Sequence, residues 1–262
     1  MKLNNSEINP FPQMTTILLY TNVIVFLLVN TFPEVTKFVY AHFASFNTFS
    51  PEFEYHQIIT HMFLHGSFTH LFYNMLILWI FGMVLEHSWG KWNFLLFYFV
   101  CGLGAWGLHQ FVNWLEFSEM YEAYQAFIAN QTQENLQKVI KFFPFQYQFM
   151  LTMTYHTNPE DVSRYLEMLV TAIRDIPTIG ASGAVFGVLA AFGLLFGNTI
   201  LYAYFVFPIK AKWFVAFFIL LEVIAVMSGV NDNVAHYAHL GGALAGILLI
   251  LIFKKQFGKN DI

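Results

Sequence analysis

Six stretches of this chain are apolar for close to the length that a bilayer demands, and no other feature restricts its fold as strongly. They run at about 14–33, 66–85, 92–113, 181–202, 213–229 and 234–253, each near the ~20 residues that cross a hydrocarbon core as a helix. The fifth is short, and an earlier start for the second, near Gln57, is also open. Composition agrees, with 57% hydrophobic and only 11% charged residues, under half the ~25% charge of soluble domains. The expectation is an all-α polytopic membrane protein: one domain over 1–262, with a bundle of six transmembrane helices and the lipid bilayer as its solvent. A net charge of −4 argues against a nucleic-acid partner. The single cysteine, Cys101, excludes an intrachain disulfide.

The first apolar run, Met14 to Phe32, exceeds the ~7–15 residues of a signal-peptide core and has no small-x-small cleavage site after it. It reads as a retained span. Lysines orient the bundle. Lys2, Lys91, Lys210, Lys212, Lys254, Lys255 and Lys259 fall on one side, and the short loops of the other side carry Lys37. That bias puts both termini in the cytoplasm, at the inner or plasma membrane if the host is bacterial.

Two outer loops are unusual. Residues 34–56 carry Phe38, Tyr40, Phe43, Phe53 and Tyr55, rings that favour headgroup depth. Residues 114–179, between spans three and four, are the most polar part of the chain and read as a helical insertion on the outer surface. Asn158-Pro159-Glu160-Asp161 has the order of an N-cap, a proline at N1 and acids in the first turn. Val162, Tyr165, Leu166, Leu169 and Ile173 then recur at helical spacing, and Ser118 to about Ile140 is a second helix candidate. A lid, a docking site and a neutral insertion all remain open for this segment. Asn130-Gln131-Thr132 has the form of a glycosylation sequon.

Chemistry concentrates in three of the spans. Gly180-Ala181-Ser182-Gly183-Ala184-Val185-Phe186-Gly187 opens the fourth, with a serine wedged between small residues. Alone it reads as a small-residue packing face. His70 and Asn74, four apart in the second span, share one helix face. His61 and His65 stand four apart just before them, and Val234-Ala235-His236-Tyr237-Ala238-His239-Leu240-Gly241-Gly242 opens the sixth span. Polar residues in spans face the bundle interior and mark function, or else bond helix to helix. Spans two, four and six all run outside to inside on this topology, with His239 roughly 9 Å deep at 1.5 Å per residue. The four side chains therefore meet in one pocket near the outer face. A serine needs a base to become a nucleophile, and His239 supplies it. The oxyanion needs donors, and the Ser182 N–H, His70 and Asn74 supply them. The early part of span six holds no Asp or Glu to orient His239, so the expectation is a Ser-His dyad and not a triad. Gly241, Gly242 and Gly246 would bring the sixth span close to Gly183 and Gly187 of the fourth.

The combination of His70-x-x-x-Asn74, Gly180-x-Ser182-Gly183 and Ala238-His239-x-x-Gly242 resembles the rhomboid family of intramembrane serine proteases. The resemblance covers about 14–113 and 180–255. It implies a six-span rhomboid-like core, a Ser182–His239 dyad, and an oxyanion and substrate site including Gly180, Ser182, His70 and Asn74. It also implies cleavage of single-span membrane proteins at or near the membrane surface, with no cofactor and no metal. By the same motif His236 is not the base, and Glu86 matches a structural position. Many relatives carry Trp-Arg in the first outer loop where this chain has His56-Gln57. Two other readings stay open. One is a catalytically inactive relative that binds membrane clients. The other is a metal or haem protein built on His61, His65, His70, His236 and His239, which lacks an HExxH signature and has no acid in the cluster.

Overall fold

The computed structural model describes residues 11–203, 207–229 and 234–253. Lys2, Lys254, Lys255 and Lys259, four of the lysines that orient the bundle, lie outside the described residues. The chain forms α1 (Gln13–Val29), α2 (Pro33–Phe43), α3 (Gln57–Thr60), α4 (Phe68–Ile77), α5 (Met83–Trp89), α6 (Lys91–Ala129), α7 (Gln133–Ile140), α8 (Phe145–Thr157), α9 (Pro159–Arg174), α10 (Ser182–Leu195), α11 (Ala211–Ser228) and α12 (His236–Ile252). A π turn at Leu78–Gly82 joins α4 to α5 in one continuous helix, Phe68–Trp89. That helix, α6 and α11 are long and apolar enough to cross a membrane, and α1, α10 and α12 are shorter apolar helices. Helices suit lipid because every backbone bond closes within its own segment.

Two compact units emerge. The first comprises 11–45, 54–109 and 178–253 of the described residues. Its centre is α10, where Gly183, Ala184, Val185, Gly187, Val188, Leu189, Ala190, Ala191 and Phe192 are all buried. A helix apolar on every face belongs inside a bundle. In α11, by contrast, Ala211 and Val215 are the buried residues, and Trp213, Phe217, Leu220, Leu221 and Ile224 are exposed. The start of α1 is held by Glu86. Its carboxylate accepts the Met14 N–H at 2.8 Å, the Thr15 N–H at 2.7 Å and the Thr15 hydroxyl at 2.8 Å. A helix N-terminus leaves N–H groups unsatisfied and carries partial positive charge, so a buried carboxylate fits there on both counts.

Glycines set the distance between α10 and α12. A Cβ on Gly242 would lie 1.8 Å from the Gly183 carbonyl oxygen, and one on Gly246 would lie 2.7 Å from that of Gly187. The two backbones touch, which is the small-residue packing expected of these spans.

The second unit comprises 46–53 and 110–177. Its core contains Phe117, Phe127, Leu136, Ile140, Phe143, Leu151, Val162, Leu166 and Val170. The Ser50 hydroxyl donates to Asp175 at 2.7 Å, and Gln110 donates to the Phe46 carbonyl at 2.9 Å. Asn158 stands at the N-cap of α9 with proline at N1 and Glu160 and Asp161 in the first turn. Its side chain donates to Asp161 at 2.6 Å and does not cap an N–H.

Three boundaries differ from the sequence expectation. The helix expected to end near 113 runs on to Ala129, because an apolar face recurs past the point where polarity rises, with Phe117, Met120 and Phe127 buried. The fourth span, expected to reach 202, ends at Leu195. Residues 200–203 instead pair antiparallel with 207–210 in a short hairpin, so the fold is not purely helical. The region near Gln57 is a separate turn, α3 followed by a 3-10 turn at His61–Phe63, broken from α4 at Leu64–Ser67.

The His56-Gln57 pair has a visible role. His56 Nε2 and Gln57 Nε2 reach the same carbonyl, that of His42, at 2.7 and 3.3 Å. His42 is in the last turn of α2, where carbonyls lack helical partners.

Candidate active site

Ser182 is the first residue of α10, His239 the fourth of α12 and His70 the third of α4. Three helix starts thus converge. Ser182 Oγ and His239 Nε2 lie 2.8 Å apart, within hydrogen-bond distance. The His239 ring stacks on Phe186, one turn along α10, with centroids 4.4 Å apart and planes 9° from parallel. Stacking on one side and the backbone contact of α10 with α12 restrict the imidazole to one plane. An N–H at a helix start points outward with the positive end of the helix dipole, which suits the Ser182 N–H to an anion.

The approach to Ser182 is built from loops. Gly180 has φ of 126°, a conformation that favours glycine. A Cβ there would meet the His70 ring at 2.9 Å and Ser182 Oγ at 3.5 Å. Gly180 therefore lies between His70 and the serine, and only a hydrogen fits in that gap. Its N–H donates to the His61 carbonyl at 2.9 Å. Upstream, Thr178 and Ser45 exchange backbone bonds at 2.8 and 2.9 Å. Trp106 donates to the Ser45 hydroxyl at 2.9 Å, and His109 Nε2 contacts the Thr178 hydroxyl at 2.9 Å. These contacts hold the strand that delivers Gly180 and Ser182.

Asn74 is buried, and its side-chain NH₂ has no partner among the described residues. A buried donor without an acceptor costs stability, so this one has reason to be retained. His65 is buried, 5.0 Å from the His70 ring. Burial, with the neighbouring His70 second, pulls its pKa down to about 3. His61, whose Nδ1 donates to the Gln57 carbonyl at 2.7 Å, is also lowered, by burial first. A cavity of about 20 Å³ lies between His61, His109, Thr178 and Ser182, large enough for one water.

One residue escaped the sequence reading. Glu222, on α11, places Oε2 2.6 Å from His236 Nδ1 and Oε1 3.0 Å from His239 Nδ1. The second approach is off the line of a straight hydrogen bond. The start of α12 holds no acid, as expected; the carboxylate that approaches His239 comes from the preceding helix. The signal was present, since Glu222 is the one charged residue between Trp213 and Gly229, and a carboxylate in a span is a functional flag. It also joins the histidines where none was expected. The ligand atoms of Glu222, His236 and His239 lie within 4.8 Å of one another, a set that would hold a metal ion by its chemistry.

Comparison with known proteins was then informative. Over 195 residues the chain is 23% identical to the rhomboid protease AarA of Providencia stuartii, an alignment covering 73% of this chain and 53% of that protein. The chain thus spans about half the length of that curated relative. The model of the rhomboid domain matches residues 52–256, which include Ser182, His239, His70, Asn74, Gly180 and Glu222. This integral membrane protein belongs to the rhomboid family.

Proposed function

We propose that the chain is an intramembrane serine endopeptidase that cleaves single-span membrane proteins at or near the bilayer surface. The observation that carries this reading is the 2.8 Å contact between Ser182 Oγ and His239 Nε2 at the joined starts of α10 and α12. His239 takes the hydroxyl proton as Ser182 Oγ attacks the scissile carbonyl. The Ser182 N–H, His70 and the unpaired amide of Asn74 receive the oxyanion. His239 then gives its proton to the departing amine. Water takes the acyl group from the serine, and the small cavity beside Ser182 has room for one molecule. A substrate helix must unwind before its carbonyl is exposed, which favours small or helix-breaking residues near the cut.

Six spans with both termini cytoplasmic accompany this reading, supported by the six apolar helices and by Lys91, Lys210 and Lys212. On that topology the insertion and the starts of α4, α10 and α12 share the outer side. The test is cleavage of a tagged single-span substrate by the purified protein in liposomes. Wild type cleaves, and Ser182→Ala or His239→Ala falls to background. Equal cleavage by Ser182→Ala refutes the serine mechanism, and binding without turnover by wild type favours a client-binding relative. The Glu222, His236 and His239 set favours a second reading, a bound divalent ion. Metal analysis of the purified protein, with activity measured after chelation, separates the two.

A further inference from the structure

The buried carboxylate of α11 invites an explanation that the dyad does not supply. We propose that Glu222 is a positioning residue for His239, extending the Ser182–His239 pair into a serine–imidazole–carboxylate line drawn from three helices. The inference rests on the serine-protease reading above.

The proposed chemistry requires one direction. For neutral His239 to serve as base, Nε2 must accept from Ser182, 2.8 Å away, and Nδ1 must then carry the ring proton. Glu222 Oε1, 3.0 Å from Nδ1, selects that tautomer. The other carboxylate oxygen is 2.6 Å from His236 Nδ1, which fixes the carboxylate plane from the same helix as the base. Glu222 and His236 side chains are 14% and 13% exposed, so neither charge nor dipole is lost to solvent. When the serine proton arrives on Nε2, the ring becomes a cation beside a carboxylate in a medium of low dielectric. Glu222 keeps its charge, Nδ1 keeps its proton, and the Nε2 proton leaves with the amine. The imperfect alignment at rest is compatible with this role, since catalytic hydrogen bonds often tighten only in the substrate complex.

A purely structural carboxylate linking α11 to α12 would show the same distances, so the test reads what such a link would not change. The groups facing His239 are Glu222 from α11, His236 from its own helix, Ser182 from α10, and His70 and His109 from α4 and α6. Wild type, Glu222→Gln and Glu222→Leu are compared in liposomes over a range of pH, with Ser182→Ala as the blank. Both variants are expected to lose about 100-fold or more in kcat, with KM changed by less than about threefold. The acid limb of kcat/KM is expected to move to lower pH, because the imidazolium loses its counter-charge. Variants within about threefold of wild type in kcat, with an unmoved acid limb, overturn the inference while the protease reading stands. An active Ser182→Ala instead removes the protease reading itself.

A second measurement needs no Glu222 variant to fold. Nitrogen NMR of histidine-labelled wild type, with the His239 signals assigned against His239→Ala, reports the tautomer directly. Neutral His239 carrying its proton on Nδ1 is expected. A proton on Nε2 overturns the proposal.

Discussion

Gly242→Ala is the sharpest probe of how this site is assembled. The added methyl carbon would sit 1.8 Å from the Gly183 carbonyl oxygen, 2.6 Å from its carbonyl carbon and 3.1 Å from its Cα. All three are backbone atoms of α10, so no side chain can swing aside. An ordinary contact begins at 3.4 Å, leaving a shortfall of 3.4 − 1.8 = 1.6 Å at the oxygen. The helices must part or slide by an amount of that order. Ser182 and His239 flank this crossing, and their 2.8 Å contact has no slack to absorb it. Overpacking of this kind costs about 1–3 kcal/mol. A displacement near 1 Å between reacting groups costs about 100-fold in rate. Activity should therefore fall further than stability. The assay is substrate cleavage in liposomes beside a thermal melt of the same preparation, with Gly107→Ala as the control. A Cβ on Gly107 meets nothing within 4 Å, so that variant should match or slightly exceed wild type in stability. Gly242→Ala with wild-type kcat would refute the claim that the glycine contact sets the distance between serine and base.

Two further outcomes follow from the coordinates. Gly180→Ala must place a methyl 2.9 Å from the His70 ring in a backbone conformation with φ of 126°; cleavage should drop about 100-fold or more with the melting temperature only modestly lower. A Gly180→Ala enzyme with unchanged kcat would separate His70 from the oxyanion site. In the second unit, the Arg174 hydrogen bond, with that of Ser50, holds the Asp175 carboxyl below the ordinary aspartate value. A lowered folded pKa contributes stability above the unfolded value and loses it as pH falls through the folded one. Hydrogen exchange of residues 110–177 should accordingly rise below about pH 4, and Asp175→Asn should flatten that response by no more than about 1 kcal/mol. An unchanged acid response in the variant would assign the effect elsewhere.

Much of this site is written locally, and the reason is physical. A bilayer converts any apolar run of about 20 residues into a helix, so each span announces itself without reference to its neighbours. Motif residues at the starts of three spans then fall at similar depth by counting alone. Counting along the spans is therefore enough to place Ser182, His239, His70 and Asn74 near one another. Helix ends were less legible. Beyond Leu195 the apolar character resumes at Ile200 after Gly197-Asn198-Thr199, yet it forms a hairpin and not more helix, and the polar rise at 114 does not end α6 at all. Composition reports what a segment is dissolved in, not where its hydrogen-bond ladder stops.

Rotation and approach between helices were decided by tertiary structure alone. Glu222 lies on a helix whose own pattern shows no preferred face, half of it exposed, and nothing in its spacing points to His239. Only the packing of α11 against α12 turns that carboxylate toward two imidazoles. The same holds for Trp106, His109, Ser45 and Thr178, which hold the approach to Gly180 from three separate places in the chain. The sequence by itself determined a bundle of apolar helices, a serine at the mouth of one and a histidine at the mouth of another. The tertiary structure decided that their backbones touch at Gly183 and Gly242, which draws serine to base, and that an acid from a third helix stands behind the base.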